Sequence, residues 1–168
     1  QKMNRKYTRE WYVERIDAIR KYIPNAAIST DIITGFSGET EADHRDTLSL
    51  MEQVGYDYAF MFKYSERSGT FAEKHFKDDV ADDVKTRRLE EIIALQRASS
   101  HQSNLADVGK TFEVLIEGNS KRSADFYSGR NSQNKVIVFP KTNNIIGDYV
   151  QVKVESCTTA TLLGKAVE

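Results

Sequence analysis

The residues whose types and spacing could do chemistry are concentrated late in the chain, where lysine and arginine alternate with aromatic residues. Between Gly109 and Lys141 there are six Lys or Arg residues and three acidic ones, a local charge of +3 in a chain with a net charge of −1. This asymmetry favours a polyanionic partner such as nucleic acid, and Phe126, Tyr127 and Phe139 could stack on its bases. On the residues alone, a solvated charged surface over an aromatic core explains the pattern at least as well.

A second candidate is the segment Thr30–Thr40, in which an apolar run leads into a turn with two glycines. Such a turn exposes backbone N–H groups at the carboxyl edge of a parallel sheet, where α/β proteins bind ligands. Asp31 and Glu39 flank this edge and could contact a ligand, although an acid near a helix start also stabilises the helix dipole. We favour that second role for Glu39. Arg67, on a later loop, could bind phosphate or could equally hold its loop by a salt bridge.

The remaining reactive residue types indicate no catalytic or metal centre. The single cysteine, Cys157, excludes an internal disulfide and a cysteine-only metal site, and we expect it to be half-buried in a strand. One cysteine also fits a reducing, cytoplasmic compartment. His44, His75 and His101 lack the spacing of metal ligands, so each is expected to be structural or solvated. The sequence therefore predicts no catalytic residue and no bound metal in this chain.

Helical and strand-like patterns alternate in the first part of the chain. Helices are predicted from Thr8 to about Tyr22 and, with a near capping box, from Thr40 through Val54. Apolar runs over 26–33 and 58–64 are predicted to be strands, and a charged helix follows over 82–105. This alternation indicates an α/β arrangement of right-handed βα units in a parallel sheet. Two or three such units form only part of a sheet.

After residue 107 the apolar positions change from helical to two-residue spacing. Five short strands are predicted, near 111–117, 123–128, 134–139, 148–155 and 159–167. Five strands in so short a segment are typical of a small, closed, antiparallel OB-like β-barrel. We therefore predict two domains, 1–106 and 107–168.

Three stretches of the α/β part resemble the tRNA methylthiotransferases of the radical S-adenosylmethionine family. Met3–Tyr12 is similar to the start of a helix in these enzymes. Thr30–Thr40 resembles the strand-to-turn motif of radical S-adenosylmethionine enzymes, Asp-Ile-Ile-x-Gly-Phe-Pro-Gly-Glu-Thr, with Ser37 where proline is common. Tyr64–Thr70 resembles their Tyr-Ser-x-Arg-x-Gly-Thr loop, with Ser68 in place of the usual proline.

A fourth resemblance lies in the predicted barrel and is to the TRAM domain, an RNA-binding module. It rests on Lys121–Ser123, Gly129-Arg130, Asn134–Phe139 and Leu162–Gly164. The four resemblances follow the order of the family and cover nearly the whole chain. Within the family they are most similar to the MiaB-type enzymes, which act on isopentenylated adenosine.

The resemblance implies that 1–106 is the end of a partial (βα) radical SAM barrel and that 107–168 is a TRAM barrel. Such enzymes insert a methylthio group into the isopentenylated adenosine beside the tRNA anticodon, using S-adenosylmethionine and two 4Fe-4S clusters held by cysteines. Because the Cys-x3-Cys-x2-Cys loop is missing here, we expect this chain alone to be inactive and to bind no cofactor. The implied contacts to S-adenosylmethionine are Asp31, Ile33, Gly35 and Gly38. The implied contacts to tRNA are Arg67, Lys121, Arg122, Arg130 and Lys135.

Other functions remain open at the level of sequence. Sibling methylthiotransferases act on threonylcarbamoyl-adenosine in tRNA or on ribosomal protein S12, and a non-catalytic RNA-binding protein would share the barrel. Gln1 in place of methionine predicts a cut inside a longer protein. The chain has no apolar run of about 20 residues, so no membrane partner is expected. The oligomeric state is left open.

Overall fold

The computed structural model describes residues 2–167 and divides into two compact units, one up to Ser99 and one from Ser100 onwards. We call them the α/β unit and the barrel unit. The division falls within the last helix of the chain. The domain boundary predicted at 106/107 lies just after the end of that helix and remains a prediction.

Helices and parallel strands alternate in the α/β unit, as the sequence predicted. The helices are α1 (Arg9–Tyr22), α2 (Glu41–Val54), α3 (Phe71–His75) and α4 (Asp82–Leu105), and the strands are β1 (Ser29–Thr34) and β2 (Tyr58–Lys63). The two strands pair in parallel, with Ile32 opposite Met61. Helix α3 was not predicted, because five residues are too few to show a helical repeat of apolar positions.

Local capping interactions determine where α1 and α2 begin and end. The Thr8 hydroxyl accepts a hydrogen bond from the Trp11 N–H at the start of α1. At the start of α2, Thr40 and Asp43 form a reciprocal capping box, which satisfies N–H groups that have no partner inside the helix. Gly55 ends α2 in the left-handed conformation (φ 58°), which favours glycine.

The helices cover only one face of the two-stranded sheet. Buried Ile16, Met51, Val54, Tyr56 and Ile92 form a core against which the side chains of one strand face pack. On the other face Asp31, Ile33, Phe60 and Phe62 are exposed. Successive residues of a strand point to opposite faces. The α/β unit therefore presents a partly apolar sheet face to its surroundings.

The barrel unit is a closed five-stranded barrel, as predicted. Its strands are β3 (Thr111–Asn119), β4 (Phe126–Arg130), β5 (Val136–Pro140), β6 (Tyr149–Cys157) and β7 (Leu162–Ala166), in the closed order β3-β4-β5-β7-β6. The predicted antiparallel pairing holds except between β5 and β7, which run parallel. Strand directions cannot alternate all the way around a ring with an odd number of strands, so one parallel pair is required.

Two glycines allow neighbouring strands of the barrel to approach closely. A side chain at Gly129 would collide with the Leu115 carbonyl, and one at Gly164 would collide with the Lys153 carbonyl. Gly129 pairs with Ile116 of β3, where the strand register shifts between Ile116 and Gly118. Gly164 pairs with Val154 of β6, where the register shifts just after Val154. Bulges bend strands, so these glycines serve the curvature of the barrel. The buried core inside it consists of Val114, Ile116, Tyr127, Ile137, Phe139, Val150, Val152, Val154 and Leu162.

Across residues 2–167, no helix combines the length and apolar character needed to cross a membrane.

Candidate nucleic-acid interface and strand-edge cavity

A groove of about 630 Å³ lies on the outer surface of the barrel. We call it the barrel groove. Its lining consists of Glu117, Ser120, Lys121, Arg122, Ser123, Phe126, Ser128, Arg130, Val136, Val138, Thr158, Ala160, Thr161 and Leu163. Three of the cations predicted to bind RNA are thus brought together in one concave site.

The floor of the barrel groove is apolar because apolar residues of β5 and β7 face outward from the barrel. Ser128 on β4 is opposite Val138 on β5, which is opposite Leu163 on β7. Directly opposed residues share a sheet face, and the intervening residues Ile137 and Leu162 are fully buried in the core. Val138 and Leu163 therefore point outward into the groove.

The basic residues of the groove come from a loop and from the end of β4. Lys121 and Arg122 lie exposed on the β3–β4 loop. Arg130 is fixed more firmly, because its Nε donates to Glu117 Oε2 at 3.2 Å and one Nη donates to the carbonyl and the side-chain oxygen of Asn134. Arg130 still exposes 42% of its side chain. It presents an oriented positive charge to the groove.

Lys135 is placed apart from these cations. Its Nζ lies 2.5 Å from Asp107 Oδ2 and 2.7 Å from Ser103 Oγ, and only 10% of the side chain is exposed. The prediction that Lys135 binds RNA rests on its charge and takes no account of burial. Its ammonium is instead part of a buried ion pair inside the barrel unit.

Of the three aromatic residues predicted to stack on bases, only Phe126 lines the groove. Tyr127 and Phe139 belong to the barrel core, where their ring centroids are 6.1 Å apart. The Tyr127 hydroxyl donates to the Asn144 carbonyl at 2.9 Å. The stacking prediction is therefore wrong for Tyr127 and Phe139. The cause is the two-residue period of a strand, which turns Phe126 outward and Tyr127 inward.

A second cavity, of about 510 Å³, lies at the carboxyl ends of β1 and β2. We call it the strand-edge cavity. It brings Asp31, Ile33 and Arg67 together with Phe62 and Lys63. Asp31 and Ile33 from one motif thus share a site with Arg67 from a later loop, and the site combines apolar and charged groups.

Gly35 and Gly38 shape the turn beside this cavity and do not line it. Both have left-handed backbone angles (φ 78° and 77°), and a side chain at Gly35 would collide with the side chain of Lys85. The Gly38 N–H donates to Asp79 Oδ1 at 2.6 Å. The prediction that the double-glycine turn offers free N–H groups to a ligand is therefore wrong at Gly38, because Asp79 already accepts that hydrogen bond.

Two buried cations on α4 hold this turn, and the sequence analysis missed both. Lys85 Nζ lies 2.5 and 2.6 Å from the two carboxylate oxygens of Asp78. Arg88 donates to Glu39 Oε1 at 2.8 Å. Glu39, expected to act through the helix dipole, is thus part of a mostly buried ion pair. The available signal was spacing, because Lys85 and Arg88 precede buried Ile92 at helical intervals on one face of α4.

Cys157, His44 and His75 each make contacts within the fold. Cys157 is partly buried against the barrel core, as predicted. His44 is buried with Nε2 2.7 Å from Glu91 Oε2, and this hydrogen bond lowers the pKa of Glu91. The His75 ring stacks on Phe71. Within the part of the chain that the structure describes, no group of three or more His, Cys, Asp or Glu side chains could hold a metal ion.

Comparison with known proteins first defines the class of the barrel unit, since residues 106–167 match the TRAM domain. The chain as a whole is also similar to proteins that are much longer than it is. It is 57% identical over 99% of its length to a tRNA-2-methylthio-N(6)-dimethylallyladenosine synthase of Parabacteroides distasonis. It is 58% identical over 98% of its length to the enzymes of that name from Phocaeicola vulgatus and Bacteroides thetaiotaomicron. The chain spans 36% of the length of each of these relatives.

Proposed function

We propose that this chain is part of a tRNA-2-methylthio-N6-dimethylallyladenosine synthase, a radical S-adenosylmethionine transferase of the cytoplasm. In this proposal residues 107–168 bind tRNA through the barrel groove. Residues 1–106 supply part of the cofactor barrel. The observation that carries the proposal is the convergence of Lys121, Arg122 and Arg130 around one groove of a TRAM domain.

The groove would act by positioning the RNA backbone. Lysine and arginine neutralise phosphates and release counterions, which supplies affinity without reading sequence. Arg130 is oriented by Glu117 and Asn134 before RNA arrives, so less rotamer freedom is lost on binding. Lys121 and Arg122 lie on a loop whose Ser120 and Ser123 hydroxyls accept backbone N–H groups. The barrel would therefore hold tRNA while chemistry takes place elsewhere in the enzyme.

In this proposal the strand-edge cavity would hold part of an S-adenosylmethionine molecule. Ile33 and Phe62 provide apolar surface, and Asp31 provides a hydrogen-bond acceptor, a combination typical of small-molecule sites. When bound, S-adenosylmethionine would supply the methyl group and the radical chemistry of the family. Arg67, on the loop at this cavity, could contact either the cofactor or an RNA phosphate. Gly35 and Gly38 would serve indirectly, by shaping the turn.

The 4Fe-4S clusters of the family do not fit this chain. A cluster needs several cysteine thiolates, and the sequence has one cysteine, which packs against the barrel core. The cluster ligands would therefore come from sequence outside these 168 residues. We expect the chain by itself to be inactive as a transferase.

The proposed tRNA role can be tested by fluorescence anisotropy with this chain and a labelled tRNA. Lys121→Ala/Arg122→Ala should weaken binding, because it removes two charges that line the groove. The matched control Lys153→Ala/Lys165→Ala removes two exposed charges from β6 and β7 outside the groove lining and should bind almost normally. Circular dichroism checks the fold of each variant. Equal losses in both variants would show that general charge, and not the groove, attracts the RNA.

A further inference from the structure

We propose that the barrel groove takes unpaired RNA, with bases on its apolar floor and phosphates on its basic residues. This inference rests on the proposed function and narrows it from tRNA in general to a single-stranded part of an RNA. The first support comes from β5, which is apolar on both faces. Val136 and Val138 face outward to the groove, while Ile137 and Phe139 are fully buried. Outward positions of a barrel that face only water are normally polar.

The floor ends in an exposed aromatic ring. Phe126, Ser128 and Arg130 lie on the same outward face of β4, since they alternate with the buried Tyr127 and Gly129. At roughly 3.3 Å per residue, Phe126 and Arg130 are about 13 Å apart along the strand. The loop that carries Lys121 and Arg122 ends at Phe126. The Phe126 carbonyl accepts a hydrogen bond from the Ser120 N–H, which joins the two ends of this loop. Positive charge therefore flanks the apolar floor at both ends of β4.

The polar groups inside the groove suit base edges better than phosphates. Glu117 places a carboxylate 3.2 Å from Arg130 Nε, and a carboxylate repels phosphate but accepts hydrogen bonds from base amino groups. Ser128 and Thr161 add hydroxyl groups to the lining. In an RNA duplex the bases are stacked and the deep groove hides their edges, whereas unpaired bases can stack on aromatic side chains. An apolar floor would be useful only to the unpaired form.

The test compares an unpaired oligoribonucleotide with a duplex of the same length and sequence, each labelled and titrated with this chain. The unpaired probe should bind more tightly than the duplex. Phe126→Ala should weaken binding of the unpaired probe on the order of tenfold, because stacking on one aromatic side chain is worth this much. Phe126→Trp should restore it. The control Tyr149→Ala removes an aromatic ring that is 64% exposed on β6, outside the groove lining, and should have little effect.

The outcomes separate the two levels of the proposal. If neither probe nor tRNA binds, the proposed RNA-binding function fails. If the duplex binds as tightly as the unpaired probe, or if folded Phe126→Ala binds normally, RNA binding stands and the single-strand inference is overturned. Leu163→Gln provides a second variant of the floor should Phe126→Ala fail to fold, as judged by circular dichroism. Normal binding by a folded Leu163→Gln variant would contradict the proposal that bases bind to the apolar floor of the groove.

Discussion

Arg88 and Glu39 form an ion pair of 2.8 Å in which 5% and 14% of the side chains are exposed. The same guanidinium donates to the Glu39 carbonyl at 3.2 Å. These contacts connect α4 to the turn between β1 and α2. That turn follows the strand that places Asp31 and Ile33 at the strand-edge cavity. The ion pair therefore holds in place the turn that lies beside the strand-edge cavity.

Removal of Arg88 should destabilise the α/β unit strongly. Arg88→Leu leaves the Glu39 carboxylate buried without its main partner, which costs about 3–5 kcal/mol of the free energy of unfolding. Urea denaturation followed by the fluorescence of Trp11, the single tryptophan and a residue of α1, measures this loss. Arg87→Leu is the matched control, because Arg87 forms exposed ion pairs with Glu41 and Glu91, and it should change stability little. Similar losses in the two variants would contradict the structural role of Arg88.

Gly35→Ala should cost more stability than Gly69→Ala. Both glycines have left-handed φ angles, 78° and 81°, so both variants lose roughly 1–2 kcal/mol from backbone strain. At Gly35 the new methyl group also meets the Lys85 side chain, whereas the space around Gly69 is open. Overpacking adds about 1–3 kcal/mol. Equal free energies of unfolding for the two variants would mean that the Lys85 side chain moves away at no cost.

Helix α2 and the barrel strands could be predicted because their signals are local. Thr40, Asp43 and Gly55 lie within one short segment, and each fits a known capping role. The strand alternation after residue 107 is equally local. Phe126 and Tyr127 show the limit of this reasoning. Alternation predicts that adjacent residues point to opposite sides, but the closed barrel decides which side is the core.

Contacts between distant residues could not be predicted in the same way. Glu39 and Arg88 are 49 residues apart, and Asp107 and Lys135 are 28 apart. Only the fold brings each pair together. A charged residue in a sequence is normally expected in solvent, so Lys135 gave no local sign of burial, and the sign for Arg88 was only its helical spacing from buried Ile92. The charge pattern therefore indicates a basic surface on the barrel but does not show which of its cations are buried.

The capping box should make stability depend on pH through Asp43. Hydrogen bonds from the Thr40 hydroxyl and then the Thr40 N–H lower the pKa of Asp43 below its ordinary value of 3.8. The folded state thus binds this proton less readily than the unfolded state, so the stabilisation is complete above the ordinary pKa. It is lost as the pH falls through the lowered folded value. The free energy of unfolding should therefore fall less between about pH 5 and pH 3 in Asp43→Asn than in the unmodified protein.

A matched control for this pH effect is Asp46→Asn, which removes an acid from the same helix outside the capping box. If Asp43→Asn and Asp46→Asn flatten the pH profile equally, loss of one negative charge explains the result and the capping box does not.

Lys135→Met should destabilise the barrel unit while leaving RNA affinity of the folded protein unchanged. Asp107 would lose its partner at 2.5 Å but keep Lys110 at 2.9 Å, so the cost should fall at the lower end of about 3–5 kcal/mol. Thermal unfolding followed by circular dichroism measures stability, and anisotropy at a temperature where the variant is folded measures affinity. Weaker RNA binding at unchanged stability would instead make Lys135 an RNA contact, as charge alone suggested.

Lys121→Ala should reduce the dependence of RNA affinity on salt. The logarithm of affinity falls linearly with the logarithm of salt concentration, by about 0.7 for each phosphate neutralised in a single strand. If Lys121, exposed in the lining of the groove, contacts one phosphate of an unpaired probe, its removal should lower the slope by about 0.7. Anisotropy titrations between about 50 and 200 mM salt measure the slope. Lys121→Arg should keep it, because the charge remains. Lys165→Ala should keep it too, since Lys165 pairs with Glu155 at 3.1 Å on β6 and β7, outside the groove lining. An unchanged slope in Lys121→Ala would exclude this lysine as a phosphate contact and leave Arg122 and Arg130 as the cations of the groove.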